Sequence, residues 1–216
     1  MDADAARNQM LGQQIRAWEV LDDRVLDALR AIRRERFVPP EYQELAFADI
    51  EVPLAHGQRM LAPKIEGRIL QALALDQTDD VFEVGTGSAY LTACLARLSR
   101  SVVSVDIFSD FIEAAKPKLA SSGIRNVTLE TADALQLRYR EEFDAIAVTG
   151  SLPSLDRHFI DMLRPGGRLF VVVGRLPIME AKFIRLQSDG SWIEESLFET
   201  VLPPLINSEH SEPFAL

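Results

Sequence analysis

The chain has 216 residues and a formal charge of −10 at pH 7, from 23 Lys+Arg against 33 Asp+Glu, and 47% of it is hydrophobic. This mixture excludes a disordered chain and supplies enough apolar material for the core of one large domain. The acidic balance argues against a nucleic-acid backbone or an anionic membrane as the main partner, because both repel a negative chain.

Along the chain, residues 3–18 have the pattern of a helix. A second helix is predicted from Asp22, whose carboxylate can cap the run carrying Val25, Leu26, Leu29 and Ile32. Pro39–Pro40 is expected to end that region. From Leu45 to Ala62 no period is sustained, so the stretch reads as a long loop, and long loops in compact domains are commonly functional. Pro63 suits the first turn of a third helix, with Ile65, Ile69 and Leu73 as its apolar stripe. Residues 79–84, 101–106, 126–130, 143–150 and 167–174 are β-branched runs of the kind buried on both faces of a parallel sheet. Helical segments are predicted between them at 90–98, 109–122 and 153–163, which makes the pattern α/β and doubly wound. Residues 179–187 and 192–205, separated by Asp189–Gly190, read as a terminal antiparallel hairpin. The expected organisation is a single domain over 1–216, with 1–62 a helical N-terminal extension and loop and 63–216 the α/β core.

Several residue classes carry little chemistry. Cys94 is the only cysteine, so no internal disulfide or cysteine-based zinc centre is expected, and its apolar neighbours mark it as a core residue. His56, His158 and His210 are too far apart to suggest a metal site. The opening residues lack an apolar leader and no run reaches the ~18 apolar residues of a membrane span, so the expected location is the cytoplasm. Arg33, Arg34 and Arg36 read as a solvated helix face, Trp18 and Trp192 as packing residues, and His56 as a hydrogen-bonded loop histidine.

The chemistry concentrates at Val84-Gly85-Thr86-Gly87-Ser88, where a buried strand enters a Gly-x-Gly turn and then a helix. Glycines there allow positive φ and a close backbone approach to a ligand. A P-loop would need Gly-Lys-Ser/Thr, which is absent, and a dinucleotide fingerprint wants a third glycine where Tyr90 stands. S-adenosylmethionine fits better, with Glu83 a candidate to fix its ammonium end directly or through water. Asp106 ends the next strand, 19 residues beyond Gly87, where a doubly wound sheet grips ribose hydroxyls. Asp133 follows the third strand and suits the adenine amino group. Each of these acids also has the alternative of capping the helix that follows. The fourth strand ends at Thr149, where a transferable methyl group would point toward substrate.

At this level the chain resembles the protein-L-isoaspartate O-methyltransferases from about Met10 to Leu205. The resemblance rests on Arg24 to Leu29, Arg34 to Pro39, Asp49, Pro53–Leu54, the Gly57–Gln58 pair, Pro63 and the 81–90 turn. Pro165 to Leu169, Val172 to Gly174 and Pro204–Leu205 extend it. It implies the doubly wound, mostly parallel sheet of S-adenosylmethionine-dependent methyltransferases. It also implies methylation of the α-carboxylate of L-isoaspartyl residues in damaged proteins, and cofactor contacts at Glu83, Gly85, Thr86, Gly87, Ser88, Asp106, Ile107, Asp133, Ala134 and Thr149. The substrate loop maps to Gln58, Arg59, Met60 and Leu61. The family's Thr-Ile-Ser is here Arg59-Met60-Leu61, so the position of its catalytic serine holds Leu61 and no catalytic residue is assigned. Ala89 replaces the family's third glycine, a mild change if φ is negative, and Ala132 and Ala134 flank the adenine acid. Arg59 is then the candidate cation for an anionic acceptor. The alternatives are a methyltransferase with another acceptor, or an S-adenosylmethionine-binding protein without transfer activity.

Overall fold

A computed structural model describes residues 2–140 and 142–208, so His210 lies outside the described residues. The chain opens with α1 (Ala3–Gln9), capped by Asp2, and stays helical through a π turn at Met10–Ile15 and a 3-10 turn at Arg16–Trp18. Asp22 caps α2 (Asp23–Ala31) by accepting the Arg24 N–H at 2.8 Å. That helix ends at Ile32, well before Pro39–Pro40, and Pro40 instead starts a 3-10 turn reaching Leu45. The prolines therefore begin an element rather than terminate one, as a fixed φ and a missing N–H favour at a first turn.

The 45–62 stretch is more ordered than its lack of period implied. It folds into a ribbon of β1 (Val52–Pro53) and β2 (Arg59–Met60), paired antiparallel around a turn at Ala55–Gly57. Helix α3 (Pro63–Leu73) follows, with Pro63 in its first turn and Ile65, Ile69 and Leu73 buried.

The sheet then builds from β3 (Asp80–Val84), α4 (Tyr90–Leu98), β4 (Ser101–Asp106), α5 (Ser109–Ser121), β5 (Val127–Thr131) and β6 (Phe143–Leu152). Helix α6 is only Arg157–Asp161, shorter than the 153–163 segment expected, and leads to β7 (Leu163–Arg175), β8 (Ile178–Leu186) and β9 (Trp192–Glu199). Strand order is β5-β4-β3-β6-β7-β8-β9; the pairs from β5 to β7 are parallel, and β7–β8 and β8–β9 are antiparallel. The chain moves outward from β3 to β5 and then returns to place β6 against the other side of β3. That reversal opens a crevice at the strands' carboxyl ends, where ligands of doubly wound sheets bind.

Two apolar layers cover the sheet. One joins the N-terminal helices, α3 and α4 to one face, and includes Ile15, Leu29, Ile69 and the fully buried Cys94. The other packs Phe82, Phe143, Phe159 and Leu169 on the opposite face. At the strands' amino ends Asp80 bonds to Arg100 and Arg164, and Asp144 to Arg164, closing the lower rim with charge pairs. No described helix is long and apolar enough to cross a membrane.

Candidate functional site

The glycine turn is built by backbone contacts that tolerate no side chain. Gly85 has φ +95, and a Cβ there would lie 2.2 Å from Thr149 Oγ1. Its N–H donates to the Val105 carbonyl at 2.8 Å, while the Thr149 hydroxyl donates to the Val84 carbonyl at 2.7 Å. The turn is thus tied to both neighbouring strands. Ala89 sits at φ +68, in the left-handed region. The exchange from glycine is not the mild one that a negative φ would have made it; the strain is about 1–2 kcal/mol.

Asp106 closes the turn from below. Its Oδ2 accepts from Gly87 N–H at 2.9 Å and its Oδ1 from Phe108 N–H at 3.0 Å. Desolvation raises its pKa, opposed by those backbone donors. Asp133 accepts from Leu135 N–H at 3.0 Å and from Asn207 Nδ2 at 2.9 Å. Both acids therefore make the cap-like turns that were the alternative to ligand binding. A carboxylate has about four acceptor positions, so each keeps capacity for a ligand.

These residues line one cleft of about 830 Å³ at the crevice. Gly85, Gly87, Asp106, Ile107, Asp133, Ala134 and Thr149 form its floor, and Gln58, Arg59 and Leu61 belong to its roof. A smaller adjoining cavity of about 320 Å³ is lined by Met60, Thr86 and Ser88 together with Glu66. Glu83 borders neither space. It is fully buried, its Oε2 accepting from the Thr92 hydroxyl at 2.5 Å and the Ser104 hydroxyl at 2.6 Å, while Oε1 has no partner. Burial pushes it up to about 8. Beneath α4 it braces the turn through Ser104, whose hydroxyl meets Thr86 Oγ1 at 2.7 Å.

The roof is held by Arg34, which is 1% exposed and so no part of a solvated face. Its guanidinium donates to the carbonyls of Ala46 at 2.9 Å and Leu61 at 2.8 Å and pairs with Glu66, with the Tyr90 ring 4.9 Å away. At the ribbon's tip His56 Nε2 is 2.8 Å from Asp110 Oδ2, and its ring stacks on Phe108 with centroids 4.0 Å apart. Arg59 Nη1 lies 3.7 Å from Glu51 Oε2, so the candidate acceptor cation already has a weak partner on the cleft wall.

Other wall residues escaped sequence reasoning: Leu54, Phe108, Leu135 and the Pro203–Ile206 stretch. The last is brought in by Ser151, whose backbone pairs with Pro204 and whose hydroxyl donates to the Leu202 carbonyl at 2.9 Å. Its only signal was the Pro-Leu pair near the chain's end. Phe108 could have been found as the large apolar side chain two residues after Asp106. Glu66 carried no signal beyond a first-turn acid.

The matching family model is described as Protein-L-isoaspartate(D-aspartate) O-methyltransferase (PCMT) and spans residues 5–210. A protein-L-isoaspartate O-methyltransferase of Petrotoga mobilis is 31% identical over 208 residues, covering 95% of this chain and 98% of that protein. The one of Methanoculleus marisnigri is 38% identical over 179 residues, 81% of each. Among solved structures, a beta-aspartate methyltransferase (PCMT) from Plasmodium falciparum, in complex with S-adenosyl-L-homocysteine, superposes with a TM-score of 0.79. It shares 22% identity over 92% of this chain and 97% of its own, a likeness of fold.

Proposed function

The chain belongs to the protein-L-isoaspartate(D-aspartate) O-methyltransferase family, and from that membership we propose that it methylates the α-carboxylate of L-isoaspartyl residues in damaged proteins, using S-adenosylmethionine. The observation that carries the reading is the single cleft that joins Gly85 and Gly87, Asp106, Asp133 and Thr149 under one roof. The residues fit the cofactor. Gly85 and Gly87, both at positive φ, bring the turn's backbone to the floor of the cleft, and two carboxylates stand at successive strand ends beside it. In this reading Gly85 to Ser88 face the amino-acid end, Asp106 the ribose and Asp133 the adenine, with Ile107 and Ala134 beside them.

When bound, the cofactor supplies a methyl group already activated on a sulfonium. The acceptor, a carboxylate with an ordinary pKa near 4, is ionised at neutral pH, so the chain needs no general base. Its residues are left to align and to dry the approach, contributions worth on the order of 7–11 kcal/mol in favourable cases. Leu54, Leu61, Phe108 and Leu205 provide apolar wall against water. A chain of charge −10 repels an anionic acceptor, and Arg59 at the cleft edge is the cation that offsets this field locally. Leu61 puts an isobutyl group where the family places a serine, so the acceptor end lacks one hydrogen-bonding hydroxyl. This departure favours the second reading, transfer to a different carboxylate. We further propose the cytoplasm as the site of action, supported by a chain with one cysteine and no possible internal disulfide.

The test is transfer of tritiated methyl to an isoaspartyl peptide and to its normal aspartyl twin. Label in the isoaspartyl peptide alone supports the proposal. Label in neither peptide but in small-molecule carboxylates supports the second reading. Cofactor binding without transfer to any acceptor overturns both.

A further inference from the structure

Glu66 lies in the first turn of α3, and its carboxylate borders the smaller cavity together with Gly85, Thr86, Gly87 and Ser88. Its side chain is 2% exposed. Arg34 holds Oε2, and among the described residues Oε1 has no hydrogen-bond partner. Oε1 is not among the fully enclosed atoms left without a partner, so it is reachable from the cavity that the residue borders and can accept from a donor bound there.

We infer that Glu66 binds the ammonium group of the cofactor's amino-acid end, the task its sequence position never suggested. The inference rests on the cofactor reading above and adds a residue to it. Glu83, the acid that sequence reasoning put forward for this role, is turned under α4 and borders no cavity. Glu66 borders the cavity that the glycine turn itself lines. Arg34 does not exclude a second cation, because a carboxylate has about four acceptor positions and can bridge two donors. The guanidinium fixes the carboxylate's rotamer instead, being itself fixed by the Ala46 and Leu61 carbonyls.

The probes are S-adenosylhomocysteine and its deaminated analogue, in which a hydrogen replaces the amino group, titrated calorimetrically into the full chain. Loss of a charge-assisted contact predicts that Glu66→Gln weakens S-adenosylhomocysteine roughly 10- to 100-fold and the analogue less than about threefold. Equal weakening of both ligands, or of neither, overturns the inference while leaving the cofactor reading intact. If the wild-type chain binds neither ligand, both fall. Should Glu66→Gln not fold, Glu66→Asp serves: the retracted carboxylate is expected to give the same selective loss, and parallel losses overturn the inference.

Discussion

Arg34 Nη2 donates to the carbonyl of Leu61 at 2.8 Å, across 27 residues of chain. The same guanidinium takes the Ala46 carbonyl and the Glu66 carboxylate, so both ends of the 46–61 segment close on one buried cation. The cleft's roof is therefore pinned at its base, and its tip is pinned separately by His56 on Asp110 and Phe108.

Removing that cation should be expensive. Arg34→Ala leaves Glu66 buried without its partner and frees two carbonyls, a loss of about 3–5 kcal/mol. In a chain of this size the expected fall in Tm is roughly 6–20 °C. Arg34→Ala with Glu66→Met should recover much of it, since no buried charge is then left alone. Scanning calorimetry of wild type, the two single variants and the double variant decides; an additive double variant would show that the pair does not support the roof.

Leu61 separates a weakened family activity from a redirected one. Restoring a hydroxyl by Leu61→Ser is expected to raise kcat/KM for an isoaspartyl peptide by roughly 30- to 1000-fold, the range for regaining about 2–4 kcal/mol of catalytic hydrogen bonding. The dissociation constant for S-adenosylhomocysteine should stay nearly unchanged. A wild type that already outpaces the serine variant on that peptide would refute the expectation.

Asp106 is asked to do two things, to hold Gly87 and Phe108 by their N–H groups and to keep capacity for a ligand. Asp106→Ala is predicted to cost about 1–3 kcal/mol of stability through the freed backbone donors. It should also weaken S-adenosylhomocysteine binding by at least about tenfold, the loss of one charge-assisted contact. Circular dichroism confirms folding and calorimetry reads affinity. Unchanged affinity in a folded variant contradicts the ribose assignment.

Glu83 makes stability fall as pH rises. Its pKa in the folded chain, about 8, lies above its ordinary value of 4.5, because burial disfavours the charged form. Between those values the native state keeps a proton that the unfolded chain releases. The contribution is therefore lost at about 1.4 kcal/mol per pH unit as pH climbs through that window. Glu83→Gln lacks this proton, so its stability relative to wild type should grow from pH 5.5 to pH 7.5. A constant difference in urea midpoints across that range would count against the buried neutral acid.

Much of the architecture could be read locally. The Asp22 cap, Pro63 at a helix start and the 101–106 strand are short-range signals: a side chain meets backbone two residues away, or a ring fixes φ. The Gly-x-Gly turn and Asp106 were legible for the same reason, since each needs only a strand end and a helix start. The 52–60 ribbon was not, because two-residue strands have no period and depend on the distant Arg34. Ala89 looked harmless because φ is not written in residue type. Glu83 was misplaced because a strand's alternation distinguishes two faces without saying which one a cleft will occupy.

The sequence by itself determined the α/β order, the doubly wound topology and which strand ends carry glycines and acids, because hydrophobic period and turn chemistry act over a few residues. Only the tertiary structure decided which acids reach the cleft. Glu83 and Glu66 are both buried carboxyls on regular elements, yet one is roofed by α4 and the other opens on the cavity beside the glycine turn. That choice follows from how α3 and α4 pack over the sheet and from a guanidinium that gathers Ala46, Leu61 and Glu66. Such contacts join residues tens of positions apart, and no local pattern encodes them.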